Sequence, residues 1–357
     1  MNLAVIHIDK DKMLSHTSLT DYSNALKILF CNGHDITHHF NINQSTNILP
    51  LVKNLKEQKV EAVLLTGDCG KLVLSFKEKC GASEDAKAFI IEGTLYIAAE
   101  SLSAEHISTI VLPILQTKTK LIYQASVFRT FGLAERELTE LLKDCIHNKD
   151  KITFRLFEVG GLEYEITMRY SNKVHPLIAQ DLVKRTLDIL QEHVYAHQSQ
   201  SLQEAVLGLL HARGQALSVA ESFTGGALSA SLVAIKGASS VFKEGIVAYT
   251  DSSKMKRLQV DPKILKRFSA VSFETVYEMA AHVLMESGAD YCIATTGYAD
   301  ESVVDPERKG YFFVAVGSNK GIHLYEHAYG GNRSEVIQFG VQYSLFKLYK
   351  LLTDNTH

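Results

Sequence analysis

The chain has 357 residues, about 46% of them hydrophobic, with 37 basic and 40 acidic side chains. That length exceeds one ordinary domain, and the apolar content is enough to build sizeable cores. A net charge of −3 without a basic stripe argues against nucleic acid or an anionic membrane as partner.

No apolar run reaches the length of a membrane-crossing helix. The first residues enter a short apolar stretch with no charged leader, which predicts no signal peptide. Cys31, Cys69, Cys80, Cys145 and Cys292 are scattered and odd in number, without a C-x-x-C. They predict neither disulfide framework nor zinc knuckle, and a reducing, cytoplasmic location.

In chain order, residues 3–8 read as a buried strand. Residues 21–32 carry helical apolar spacing closed by Gly33. An extended run, a helix through Leu49, Leu51, Val52 and Leu55, and a strand over 60–65 follow. This alternation predicts a three-layer α/β domain over 1–120 with a parallel sheet. Its turn Thr66-Gly67-Asp68-Cys69-Gly70 falls where such sheets bind ligands, but lacks the Gly-Lys-Ser/Thr ending of a P-loop and reads rather as a plain tight turn. His34, His38 and His39 do not make a metal site. The last two are sequential, so a strand sends them to opposite faces, and all three read as solvated.

Residues 121–197 predict a small α+β domain. It has a strand at 123–132, a helix at 133–146, a hairpin turning at Val159-Gly160-Gly161 and a long helix from Pro176 to His193. Arg155 and Arg169 fall on its strands as surface residues, and no catalytic cluster stands out. The polar run 195–201 reads as a linker.

The third domain, 200–357, is again layered α/β. A helix over 202–212 closed by Gly214 leads to a strand at 216–220 and the turn Ser222-Phe223-Thr224-Gly225-Gly226, which opens a helix. Its glycines permit close backbone approach, and the helix start favours an anion; serine and threonine also cap helices for structural reasons alone. Ser239, Tyr249 and Lys254 follow. A hydroxyl nucleophile needs a base, and a lysine serves when burial lowers its pKa, with a tyrosine relaying the proton. Spacing cannot bring the three together in space, and Lys254 reads otherwise as a surface residue near a helix start. Further on come a helix over 273–286 opened by Ser272, a strand ending in Thr296-Gly297, an antiparallel pair at 311–316 and 322–327, and a last helix from Arg333.

The segments VAESFTGG, KGASSVFKEGIVAYTDSSK, ATTG, GYFFVAV and GGNR, in this order over about 155 residues, resemble the C-terminal domain of the CinA family (competence/damage-inducible protein A). The resemblance implies an amidohydrolase that converts nicotinamide mononucleotide to the acid and ammonia, with no metal or other cofactor. Matched by motif, Ser239, Tyr249, Lys254 and Ser222 become the catalytic set. Thr224, Gly225, Gly226, Thr296, Gly297 and Arg333 become substrate-binding, Arg333 facing the phosphate. The chain departs from the pattern at 298–306, where acids (Asp300, Glu301, Asp305) replace a glycine-rich loop, and at Phe223, where a smaller residue is usual. The alternative is a catalytically silent relative that binds a nucleotide or a partner protein. The front of the chain resembles, more distantly, the family's molybdopterin-binding-like domain. Residues 8–14 and 66–72 lack the acids of its metal-dependent pyrophosphatase, so that activity is expected to be lost. The resemblance also implies a homodimer.

Overall fold

The structure is a computed structural model describing residues 1–9, 19–43, 49–83, 86–91, 93–99, 101–119, 121–147, 151–300 and 309–354. It is a mixed α/β protein whose contacts divide into two compact units. One comprises residues 1–126, 145–154 and 167–184; the other comprises 127–144, 155–166 and 185–357.

The N-terminal unit begins β1 (Asn2–Asp9), α1 (Leu19–Cys31), β2 (Asp35–Asn43), α2 (Leu49–Glu57), β3 (Ala62–Gly67), α3 (Gly70–Cys80), β4 (Ala88–Ile91) and β5 (Thr94–Ala98). A helical stretch follows: α4 (Ala104–His106), a π turn (Ile107–Val111) and α5 (Leu112–Gln116). The sheet order is β2-β1-β3-β5-β4. It is parallel except at β4, as the strand–helix alternation predicts. Successive residues of β1 feed two cores: Leu3 and Val5 one face, Ala4 and Ile6 the other.

Two expectations fail here for one reason: hydrophilic side chains are enclosed by what packs on them. His34 is 1% exposed, and neither ring nitrogen has a hydrogen bond among the described residues. Burial, then the positive N-terminus and Arg169, push its pKa down to about 4. Arg169 is buried rather than at the surface. It pairs with Asp35 at 3.0 Å, donates to the carbonyl of Phe30 and lies over that residue's ring.

The middle elements are β6 (Tyr123–Phe131), α6 (Glu135–Leu141), α7 (Lys143–Ile146), β7 (Thr153–Gly160), β8 (Glu163–Ser171), α8 (Pro176–Leu190) and β9 (Val194–Ala196), with sheet order β7-β8-β6-β9. The expected separate domain over 121–197 is instead divided between the two units. Phe131, Tyr195 and Ala196 belong to the core of the C-terminal unit, while Arg169 is bound within the N-terminal one. Nor is 195–201 a free linker. Tyr195 donates its hydroxyl to Glu163, Ser199 donates to Glu165 at 2.7 Å, and Arg129 bonds the carbonyl of Gln200.

The rest of the C-terminal unit runs α9 (Leu202–Arg213), β10 (Leu217–Glu221), α10 (Ala227–Val233), β11 (Phe242–Val247), α11 (Asp251–Leu258), α12 (Pro262–Phe268), α13 (Phe273–Ser287), β12 (Tyr291–Gly297), β13 (Tyr311–Ser318), β14 (Gly321–Ala328) and α14 (Arg333–Thr353). The order β11-β10-β12-β13-β14 makes the first three strands parallel and the last two antiparallel. Helices α9, α10 and α14 bury their apolar faces on one side of the sheet, and α13 with residues of α11 on the other. The carboxyl ends of β10, β11 and β12 therefore open at one edge, where open α/β sheets hold ligands. Among the described residues no helix is long and apolar enough to cross a membrane.

Candidate active site

A cavity of about 280 Å³ lies at that edge. Each parallel strand delivers a side chain to it: Ser222 after β10, Tyr249 and Lys254 after β11, Thr296 and Gly297 at the end of β12. Arg333, the first residue of α14, completes the predicted residues that line it.

Ser222 is 6% exposed, and its amide donates to the carbonyl of Thr295, so the turn is pinned to the end of β12. Thr224 is buried and shares a 2.9 Å hydrogen bond with the hydroxyl of Thr295. It ties the turn down without lining the cavity. Gly225 and Gly226 have φ of +60° and +99°, a left-handed pair that explains two successive glycines. Gly226 is not free for an anion from outside. Its amide and those of Leu228 and Ser229 donate at 2.8–3.0 Å to the carboxylate of Glu221, which also accepts from the Ser229 hydroxyl at 2.6 Å. This fully buried glutamate supplies the negative charge the helix start calls for. The amides of Phe223 and Thr224 remain without an acceptor among the described residues.

Lys254 sits in the first turn of α11, opened by Thr250, whose hydroxyl accepts from the amide of Ser253. It is 2% exposed. Its amine reaches only the carbonyl of Tyr249, at 3.5 Å, and among the described residues no carboxylate comes within ion-pair distance. Burial therefore holds its pKa below the usual value, with Asp251 pulling weakly the other way. Tyr249 is exposed, and its hydroxyl accepts from the guanidinium of Arg333 at 2.9 Å. Thr296 donates to the carbonyl of Ala270, fixing part of the wall.

Ser239 does not join this group. It lies in the short 3-10 turn Ala238–Ser240 before β11, whereas Tyr249 and Lys254 follow the same strand. A strand of six residues spans roughly 20 Å, and the cavity lies at the carboxyl end. The hydroxyl that shares the cavity with Lys254 is that of Ser222.

Phe223 lines the cavity but belongs mostly to the core: it is 3% exposed and stacks on Phe312 with centroids 5.1 Å apart. Room comes from Gly340 of α14, where an added Cβ would lie 2.3 Å from the Phe223 ring. Asp251 and Asp300 also line the cavity, and Asp300 faces Lys309 at 4.0 Å. Glu301 and Asp305 lie outside the described residues, as do 10–14 of the N-terminal motif. Sequence reasoning overlooked Glu221 and Asp251. The first stands inside the quoted Ala-Glu-Ser motif, but a carboxylate reaching amides five to eight residues ahead has no local signature.

These features define an α/β domain with a ligand-sized cavity at the carboxyl edge of its parallel strands, holding a buried lysine and a serine hydroxyl. Residues 199–352 match the model of the CinA C-terminal domain, which assigns this part of the chain to the CinA family. A CinA-like protein of Kosmotoga olearia is 33% identical over 241 residues, 66% of this chain and 58% of its own. A CinA-like protein of Thermotoga maritima is 32% identical over 234 residues, 65% of this chain and 56% of its own. The chain thus spans less than two thirds of the length of these relatives. The crystal structure of competence damage-inducible protein A from Klebsiella pneumoniae is 30% identical, covering 44% of this chain and all of its own, with a TM-score of 0.41.

Proposed function

We propose that the C-terminal domain is an amidohydrolase that converts nicotinamide mononucleotide to nicotinic acid mononucleotide and ammonia. The observation that carries the reading is the buried amine of Lys254, without a carboxylate partner among the described residues and lining the same small cavity as the hydroxyl of Ser222. A lysine kept from water and from carboxylates favours its neutral, basic form. It takes the proton of Ser222, whose oxygen attacks the carboxamide carbon. The tetrahedral oxyanion faces the amides of Phe223 and Thr224, a turn suited to that charge. Lys254 returns the proton to the departing nitrogen, ammonia leaves, and water hydrolyses the acyl-serine by the same base. Arg333, held by Tyr249 at the cavity wall, takes the phosphate, and Asp300 or Asp251 faces the pyridinium charge. The supported hydroxyl is therefore Ser222 and not Ser239. The test is ammonia release from the mononucleotide, with Lys254→Ala as control. Release that persists in the variant removes the mechanism.

One observation favours a second reading. Asp300 brings a negative charge to a cavity meant for a phosphate, which fits a silent relative that binds a nucleotide without turning it over. Binding of the mononucleotide without ammonia release selects it. The N-terminal unit is proposed to have lost the pyrophosphatase and to serve in a homodimer. Metal-dependent turnover of ADP-ribose, or a monomer by light scattering, counts against the respective part.

A further inference from the structure

A second cavity, of about 540 Å³, lies wholly within the C-terminal unit, away from the residues assigned to catalysis. The tip of the β7–β8 hairpin, α9, α10 and the first half of α14 enclose it. Its volume is that of an ordinary small-molecule site.

One amide side chain in its wall lacks the partner that burial demands, and a second lies in the same wall. Gln203 of α9 is 8% exposed, and its side chain makes no hydrogen bond among the described residues. On α14 the Oε1 of Gln342 is buried and has no hydrogen-bond partner among the described residues. A buried amide oxygen left without a donor is costly, so Gln342 calls for a partner entering from the cavity.

The charge of the wall states what kind of partner. Glu158 and Glu335 line it, and none of the described lining residues is a lysine, arginine or histidine. Glu163 lines it too, but is matched by Arg129 at 3.5 Å and by the hydroxyl of Tyr195. Glu335 is half engaged, its Oε2 accepting from the amide of Asn332. Glu158 has no ion-pair partner among the described residues. Tyr329 and Phe339, stacked with centroids 4.0 Å apart, add an aromatic wall. Unpaired carboxylate, amide oxygens and aromatic rings together recognise positive charge carried on N–H donors.

We infer that this cavity binds a small organic cation of amine or guanidine type, its N–H groups donating to Gln342 and Glu158. The inference stands independently of the amidase reading, because its readout is binding alone.

The probe is agmatine, which carries a guanidinium and an ammonium group, titrated calorimetrically into the full chain; adenosine 5′-phosphate is the anionic control. Saturable one-to-one binding of agmatine is expected, weakened about tenfold in Gln342→Leu, as for the loss of one charge-assisted hydrogen bond. Glu158 is exposed, so Glu158→Gln leaves folding intact; it is expected to weaken agmatine by a similar factor and to flatten the salt dependence. Absence of saturable agmatine binding up to about 1 mM overturns the inference. So does agmatine binding that both substitutions leave unchanged, or tighter binding of the nucleotide control at the same residues.

Discussion

At the scale of single residues, the lysine is the most informative. If Lys254 is the base, Lys254→Ala lowers kcat/KM by about 10²–10⁴, and Ser222→Ala removes the acyl route altogether. Ser239→Ala, distant along β11, leaves turnover within about twofold, the size of an ordinary surface effect. The pH profile of kcat/KM then rises to a plateau whose inflection lies below 10.5, since burial lowers this amine. The same burial carries a stability cost. Between the lowered folded value and 10.5 the unfolded chain binds more protons than the folded one, so stability rises with pH across that window. Lys254→Met therefore raises stability near neutral pH while abolishing activity, and urea melts paired with the ammonia assay read both. His34 obeys the same sign in the N-terminal unit. With a folded pKa of about 4 against an ordinary 6.5, acidification through that range removes about 2–3 kcal/mol, and His34→Leu flattens the dependence. Urea melts at pH 4 and pH 7 that shift equally in both proteins would dismiss this account.

At the scale of elements, the turn, helix α10 and helix α14 act together. Phe223 fills the space that a side chain at position 340 would need. Gly340→Ala forces the ring aside and is expected to cost about 1–3 kcal/mol. Phe223→Leu in the same chain returns most of that loss, a coupling that a double-mutant cycle measures directly. Additive losses would mean that α14 shifts as a whole instead. This pairing also marks how far the sequence is legible. Alternation of strands and helices is local, so the parallel sheets and the cap at Ser272 could be read from it, while the cavity-lining Ser222, Lys254 and Arg333 were placed together by the family motifs. Which end of a strand a neighbouring residue occupies is equally local, yet motif matching alone put Ser239 beside Lys254. Contacts between distant segments are the part that stays hidden. Phe223 against Gly340, Arg169 against Asp35 and Glu221 folded back onto amides ahead of it are set by tertiary packing, which no spacing encodes.

At the scale of the whole molecule, the matched family span and the cooperative unit do not coincide. The match begins at residue 199, but the core of the C-terminal unit includes Phe131, Tyr195 and Ala196. Phe131 is 1% exposed, and its ring lies 5.6 Å from that of Phe339 and 5.1 Å from that of Phe346, both on α14. Beside it Arg129 donates to the carbonyl of Gln200 at 3.1 Å, so the residues before 199 are fastened by a hydrogen bond as well as by apolar area. Removing the Phe131 ring leaves a cavity against α14, and Phe131→Ala is expected to cost about 3–5 kcal/mol. A fragment of 199–357 loses Phe131 and Tyr195 together and uncovers the rings of Phe339 and Phe346. Its unfolding midpoint in urea should therefore fall at or below that of Phe131→Ala, with faster hydrogen exchange along α14 than in the full chain. A fragment as stable as the full chain's C-terminal unit, with α14 equally protected, would mean that the fold ends where the family match begins, and that the segments 127–144 and 155–166 and the stretch 185–198 only rest upon it.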